Sequence, residues 1–285
     1  MASLALGVGI AVLLWWVSTA ALLWLANRHG HRGASLGVLS VIYGVAWVLA
    51  LQLGPKVGQG PWIASFMMGL LIWGWLEFAY LAGAITGPLA SRKLCPPGLK
   101  GWARFKGALM TGLWHELAVV ATLALLWLGL WEAPNALAAQ SFTVLAVARW
   151  SAKLNVYLGV PNLHGEFFPE HMRYLVSWTR KRPMNSLFPF SITIGTGFTI
   201  LLVGQALTAP MPSQALGSAL LGALMALAVL EHWFLVINMD DGWLWRWALP
   251  QRPSTTTAEE APTAWVQATP KPSAPALSSV SPSRS

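Results

Sequence analysis

Residues 154–183 read LNVYLGVPNLHGEFFPEHMRYLVSWTRKRP. This stretch gathers Asn155, Asn162, His164, Glu166, Glu170 and His171 into one polar connection between apolar segments. On both sides of it the chain has the texture of a membrane protein. The few ionisable residues inside the apolar runs, namely Glu77, His115-Glu116 and Glu231-His232, repeat the carboxylate and imidazole chemistry of the connection.

Composition agrees. Hydrophobic residues make up 55% of the 285 residues, charged residues only 10%, and there are 18 Trp. A soluble domain carries far more charge, so the chain reads as an all-α, polytopic membrane protein. The net charge of +8 does not indicate nucleic acid, because no basic run is interleaved with RNA-binding aromatics in a soluble domain. Topology accounts for it better. The single cysteine, Cys95, leaves no intrachain disulfide and no cysteine cage for zinc.

Apolar runs of spanning length lie at residues 4–26, 35–53, 62–89, 107–131, 136–158, 186–208 and 214–238. At about 1.5 Å per residue each can cross a hydrocarbon core of about 30 Å. The first reads as a signal anchor, and the fifth is interrupted by Arg149, Ser151 and Lys153, which tilt it toward the interface. With about seven spans, every basic residue except Lys56 falls on one side. The positive-inside rule then places the N-terminus in the periplasm and the C-terminus in the cytoplasm of a bacterial inner membrane. Residues 1–249 form the transmembrane domain, with the polar connection 154–183 on the cytoplasmic side. Residues 250–285, rich in Pro, Ser, Thr and Ala, read as a disordered cytoplasmic tail.

On this topology Glu77, His115-Glu116 and Glu231-His232 share the inner half of the bilayer, above the connection. A carboxylate at the bilayer centre costs a few kcal/mol and must face protein, water, a partner or a metal. Carboxylates and neutral imidazoles from several helices are the donor set of di-iron and di-manganese bundles. The candidate metal ligands are therefore Glu77, His115, Glu116, Glu166, Glu170, His171, Glu231 and His232, for Fe, Mn or Zn. Against that, the usual bundle motif spaces Glu and His three apart, whereas these pairs are adjacent and diverge by about 100 degrees. Buried hydrogen-bonding units that fasten helices explain the same residues.

Trp15, Trp16, Trp24, Trp62, Trp131, Trp243, Trp245 and Trp247 lie near predicted helix ends and fit an interfacial belt. Trp73, Trp75 and Trp114 are deeper and flank Glu77 and His115, which makes them candidate walls for a bound tetrapyrrole. Ala79, Gly83 and Gly87, spaced by four, suggest close approach of the third helix to a neighbour.

The succession KLNVYLGVPNLHGEFFPEHMRYLVSW, KRPMNSLFPFSITIGT, LEHWFLV and LWRWAL resembles the PuhE family, photosynthetic complex assembly proteins of purple phototrophic bacteria. The likeness runs from about Trp62 to Leu249. It implies an inner-membrane protein that assists assembly of the reaction centre and its antenna or supplies bacteriochlorophyll or a precursor. Its partners would be membrane lipid, reaction-centre or light-harvesting subunits and pigment-synthesis enzymes. Where the family pattern leads one to expect something near NLNEE, residues 162–166 read NLHGE, which counts against a required His164 and favours Glu166 as the retained acidic group. A membrane di-metal oxidoreductase acting on a tetrapyrrole or isoprenoid is the alternative.

Overall fold

The computed structural model describes residues 1–27, 32–89, 94–162 and 168–237. His29, His31, His164, Glu166 and the tail 250–285 lie outside the described residues. Eight α-helices are formed within them: α1 Ala2–Asn27, α2 Arg32–Leu53, α3 Gln59–Leu81, α4 Gly101–Met110, α5 Leu113–Leu130, α6 Leu137–Leu158, α7 Leu187–Thr208 and α8 Pro212–Phe234. A 3-10 segment, Glu170–Trp178, lies between α6 and α7. There is no strand among the described residues, only an isolated parallel bridge between Val160 and Lys181.

Six of these helices, α1, α2, α3, α5, α7 and α8, are long and apolar enough to cross a membrane. α6 has the length, with 22 residues spanning about 33 Å, but its composition is more polar than theirs because its C-terminal half carries Arg149, Lys153 and Asn155.

The bundle is built around α3, α6 and α8. One apolar cluster joins α2, α3, α5 and α6 through Ala46, Ile72, Leu76, Val119, Leu126 and Phe142. A second joins α1, α3, α6 and α8 through Ala11, Phe66, Leu137, Leu216 and Leu220. The outward faces are apolar too, as at Val41 and Val48 of α2 and Phe190, Ile194 and Phe198 of α7. In water that arrangement would aggregate, and in lipid it is the expected exterior. Small residues let the backbones approach. A Cβ at Gly69 of α3 would stand 2.7 Å from the Ala138 carbonyl oxygen of α6, so only glycine fits there.

Two helix boundaries differ from the sequence expectation, and one contact explains both. The third apolar run stops being helical at Leu81, and the fourth is divided at Thr111-Gly112 into α4 and α5. The segment that leaves α3 turns at Gly83, whose φ is 81°, and crosses the break. There the His115 N–H donates to the Thr86 carbonyl at 3.0 Å and the Leu89 N–H donates to the Met110 carbonyl at 3.2 Å. Backbone groups freed by the break are thus satisfied by a neighbouring chain segment. A Cβ at Gly87 would meet the Met110 oxygen at 2.2 Å. The spacing of Ala79, Gly83 and Gly87 is therefore not a helix-packing stripe. Gly83 serves a turn and Gly87 a backbone crossing.

Gly69→Val is expected to lower unfolding stability in detergent by about 1–3 kcal/mol through overpacking. Gly74→Ala, where an added Cβ meets no neighbour within 4 Å, should leave the unfolding midpoint nearly unchanged. Thermal or denaturant melts of the two variants check this.

Candidate functional site

The loop crossing places the start of α5 against the end of α3 and the last third of α6. Glu77 lies four residues before the end of α3, about 6 Å in from it. That is nearer the end than the longer helix expected from sequence would put it. His115 and Glu116 open α5. From α6, Arg149 and Lys153 point at them, one helical turn apart on the same face.

The charges pair off. Arg149 forms an ion pair with Glu77, and Lys153 with Glu116. The Trp150 indole N–H donates to the second Glu116 oxygen at 2.7 Å. Tyr80, one turn on from Glu77, lays its ring beneath both cations, with the Arg149 guanidinium at 5.4 Å and the Lys153 ammonium at 5.0 Å from its centroid. That ring also meets the His115 imidazole, with centroids 4.6 Å apart. Both contacts to the cations are within cation–π range. His115 is fully buried, with Nε2 3.7 Å from Glu77 Oε1, longer than a hydrogen bond. With a neutral imidazole, two carboxylates face two cations and the cluster carries no net charge.

A second polar chain ties α8 to α6 and α7. His232 Nδ1 lies 2.8 Å from the Ala228 carbonyl and Nε2 lies 2.9 Å from the Ser151 hydroxyl. A carbonyl only accepts, so Nδ1 carries the proton and Nε2 accepts from Ser151. Asn155 then donates to Ser191 at 3.0 Å, and Asn185 donates to the carbonyls of Asn155 and Gly159. Glu231 turns the other way and accepts the Trp15 indole N–H at 2.8 Å. Adjacent residues on one helix have diverged, as the helical repeat requires.

The 3-10 segment after α6 packs against Tyr80 of the first cluster, through side chains other than those its polarity suggested. Met172 and Tyr174 pack with Tyr80. Burial pushes the Tyr174 hydroxyl above the ordinary phenol range, so it stays protonated across physiological pH. Glu170 is exposed, and His171 Nδ1 lies 3.2 Å from the Arg32 guanidinium at the start of α2. Asn162 donates to the carbonyls of Phe234 and Ile237, which fastens the end of α8 to the connection.

Of the expected metal ligands, Glu77, His115 and Glu116 come together, while Glu170, His171, Glu231 and His232 have separate surroundings. Among the described residues no group of three or more His, Cys, Asp or Glu is placed to hold a metal ion. Both carboxylates of the central cluster already face cations, a poor setting for a further cation. The tryptophans diverge as well. Trp73 packs edge-on against Phe142. Trp75 stacks on Tyr43 at 4.3 Å and donates to Ser40 of α2. Trp114 is 54% exposed on the outer surface.

Residues 1–256 match the family model DUF3623, described as a protein of unknown function. The chain belongs to the DUF3623 family. It is also 37% identical over 259 residues to an "Uncharacterized 30.4 kDa protein in puhA 5'region" of Rhodobacter capsulatus, a match that covers 88% of this chain and 93% of the relative. No solved structure matches it.

In this DUF3623 chain, sequence reading passed over Arg149, Lys153, Trp150 and Tyr80 as parts of the site. The signal was present, since two cations one turn apart in a membrane-length helix need two anions, and Glu77 and Glu116 were already in view. Arg149→Met is expected to leave Glu77 buried without its cation and to cost about 3–5 kcal/mol. Glu132→Gln, at an exposed carboxylate near the opposite end, should change stability little. Unfolding in detergent measures both.

Proposed function

We propose that this DUF3623 protein is an inner-membrane factor for photosynthetic complex assembly, acting on the reaction centre and antenna or on their bacteriochlorophyll supply. The observation that carries this reading is the puhA 5' region in the printed name of the Rhodobacter capsulatus relative. The PuhE-like motifs of residues 153–249 agree with it. In this proposal α6 is a further membrane-crossing helix, giving about seven, with the N-terminus periplasmic and the C-terminus cytoplasmic. Reaction-centre or light-harvesting subunits and pigment-synthesis enzymes are the proposed partners.

The site supports a binding or assembly role over redox chemistry on physical grounds. A carboxylate that serves as acid, base, nucleophile or metal ligand changes protonation, ligation or contact during turnover. Glu77 and Glu116 instead each face a fixed cation, and Glu116 also accepts an indole N–H. Such closed pairing fixes helices relative to one another and leaves the outer surface free for other membrane proteins.

Deleting the gene in a phototrophic host is expected to reduce reaction-centre and antenna absorbance in isolated membranes severalfold. Conversion of pigment precursors in extracts of the same cells should persist. Blocked pigment conversion in those extracts would contradict this reading.

A further inference from the structure

At the end of the bundle where α3 and α6 finish and α5 and α7 begin, the chain forms a shelf. Arg104, nearly buried in α4, donates to the carbonyls of Trp178 and Thr179. Gly107 lets the Trp178 ring lie directly on the helix, since an added Cβ would stand 2.5 Å from it. The Cys95 N–H donates to the Ser177 hydroxyl at 2.9 Å, and Val160 pairs with Arg180 and Arg182 through backbone hydrogen bonds of 3.3 Å each. Short segments are thereby held to the 3-10 segment and to the end of α6.

With Arg104 and Gly107 turned inward, the other face of α4 carries Trp102, Phe105, Lys106 and Leu109, the spacing of one helical stripe. Trp102 is 74% exposed and Leu109 39%, while Trp102 stacks on Phe105 with centroids 5.2 Å apart. Phe105 packs edge-on against Tyr157 of α6, so the outward apolar groups are Trp102 and Leu109, and together with a lysine they form the pattern of a helix lying in the membrane interface. Around it the shelf exposes Lys100, Lys106, Arg173, Lys181 and Arg182. Within residues 94–110 and 168–186 the only acid is Glu170.

We infer that this shelf is an anionic-lipid binding surface: α4 seats Trp102 and Leu109 at the acyl boundary, and the surrounding cations engage the phosphate headgroups of acidic phospholipid. The occupant is decided by two features together. A protein or nucleic-acid partner would explain the cations without an apolar stripe at the level of the helix ends. Neutral lipid would explain the stripe without five exposed cations. The surface is separate from the Glu77 and Glu116 cluster, and its test does not depend on the assembly reading.

The full chain is reconstituted in nanodiscs of phosphatidylcholine mixed with phosphatidylglycerol, and spin-labelled forms of each lipid report the fraction held at the protein surface. Phosphatidylglycerol is expected to be preferred about fivefold, the contribution of one cation beside an anionic surface. The preference should fall on raising salt and vanish in the variant that carries Lys100→Gln, Lys106→Gln, Arg173→Gln, Lys181→Gln and Arg182→Gln, whose changes are all at exposed side chains. Equal retention of the two lipids, or a preference that survives in that variant, would overturn the proposal. A nitroxide carried by Trp102→Cys in a Cys95→Ser background supplies a second reading. It should be reached by oxygen more readily than by a water-soluble relaxant, and a fully water-exposed label would refute the seating of α4.

Discussion

Two carboxylates and two cations packed among α3, α5 and α6, with Glu77 buried and the other three partly buried, set the constraint on which the rest of the structure depends. Each ion alone at membrane depth is costly, and removing water from a pair is repaid only by good geometry and further hydrogen bonds. Here the repayment is visible. Arg149 and Lys153 sit one turn apart, Glu77 and Glu116 come from different helices, and Trp150 and Tyr80 supply the remaining polar and aromatic contacts. Because the pairs bridge helices, they fix register where apolar packing alone would allow sliding.

The backbone break between α4 and α5 belongs to the same solution. An uninterrupted helix from residue 101 to residue 130 would carry α4 along the bundle axis. The break lets α5 begin at Leu113 while α4 turns to the surface, and residues 86–89 satisfy the exposed backbone groups. Gly87 makes that crossing sterically possible. The geometry of the charge cluster and the lateral position of the shelf thus follow from one local arrangement of chain.

Much of this was legible in the sequence. Apolar length identified the helices because hydrophobic runs of spanning size have few other uses. The divergence of Glu231 from His232 followed from the helical repeat, and Glu77, His115 and Glu116 stood out as ionisable groups in apolar surroundings. What escaped was tertiary. Arg149 and Lys153 looked like residues pulling a helix to the interface, because a sequence does not show which helix faces which. The end of α3 at Leu81 escaped for a similar reason: Ala82 to Leu89 is apolar enough to continue a helix, and it leaves one because a neighbouring break offers its backbone better partners. Trp73, Trp75 and Trp114 flanked the acids in sequence and still point to different neighbours, since adjacency along a helix is not adjacency in space.

The central claim is that the buried charges act as pairs. A double-mutant cycle of Glu77→Gln and Arg149→Met, followed by unfolding in detergent, measures this directly. Pairing predicts that the double variant is more stable than the sum of the single losses allows, with a coupling of about 1–3 kcal/mol. Losses that simply add would contradict it.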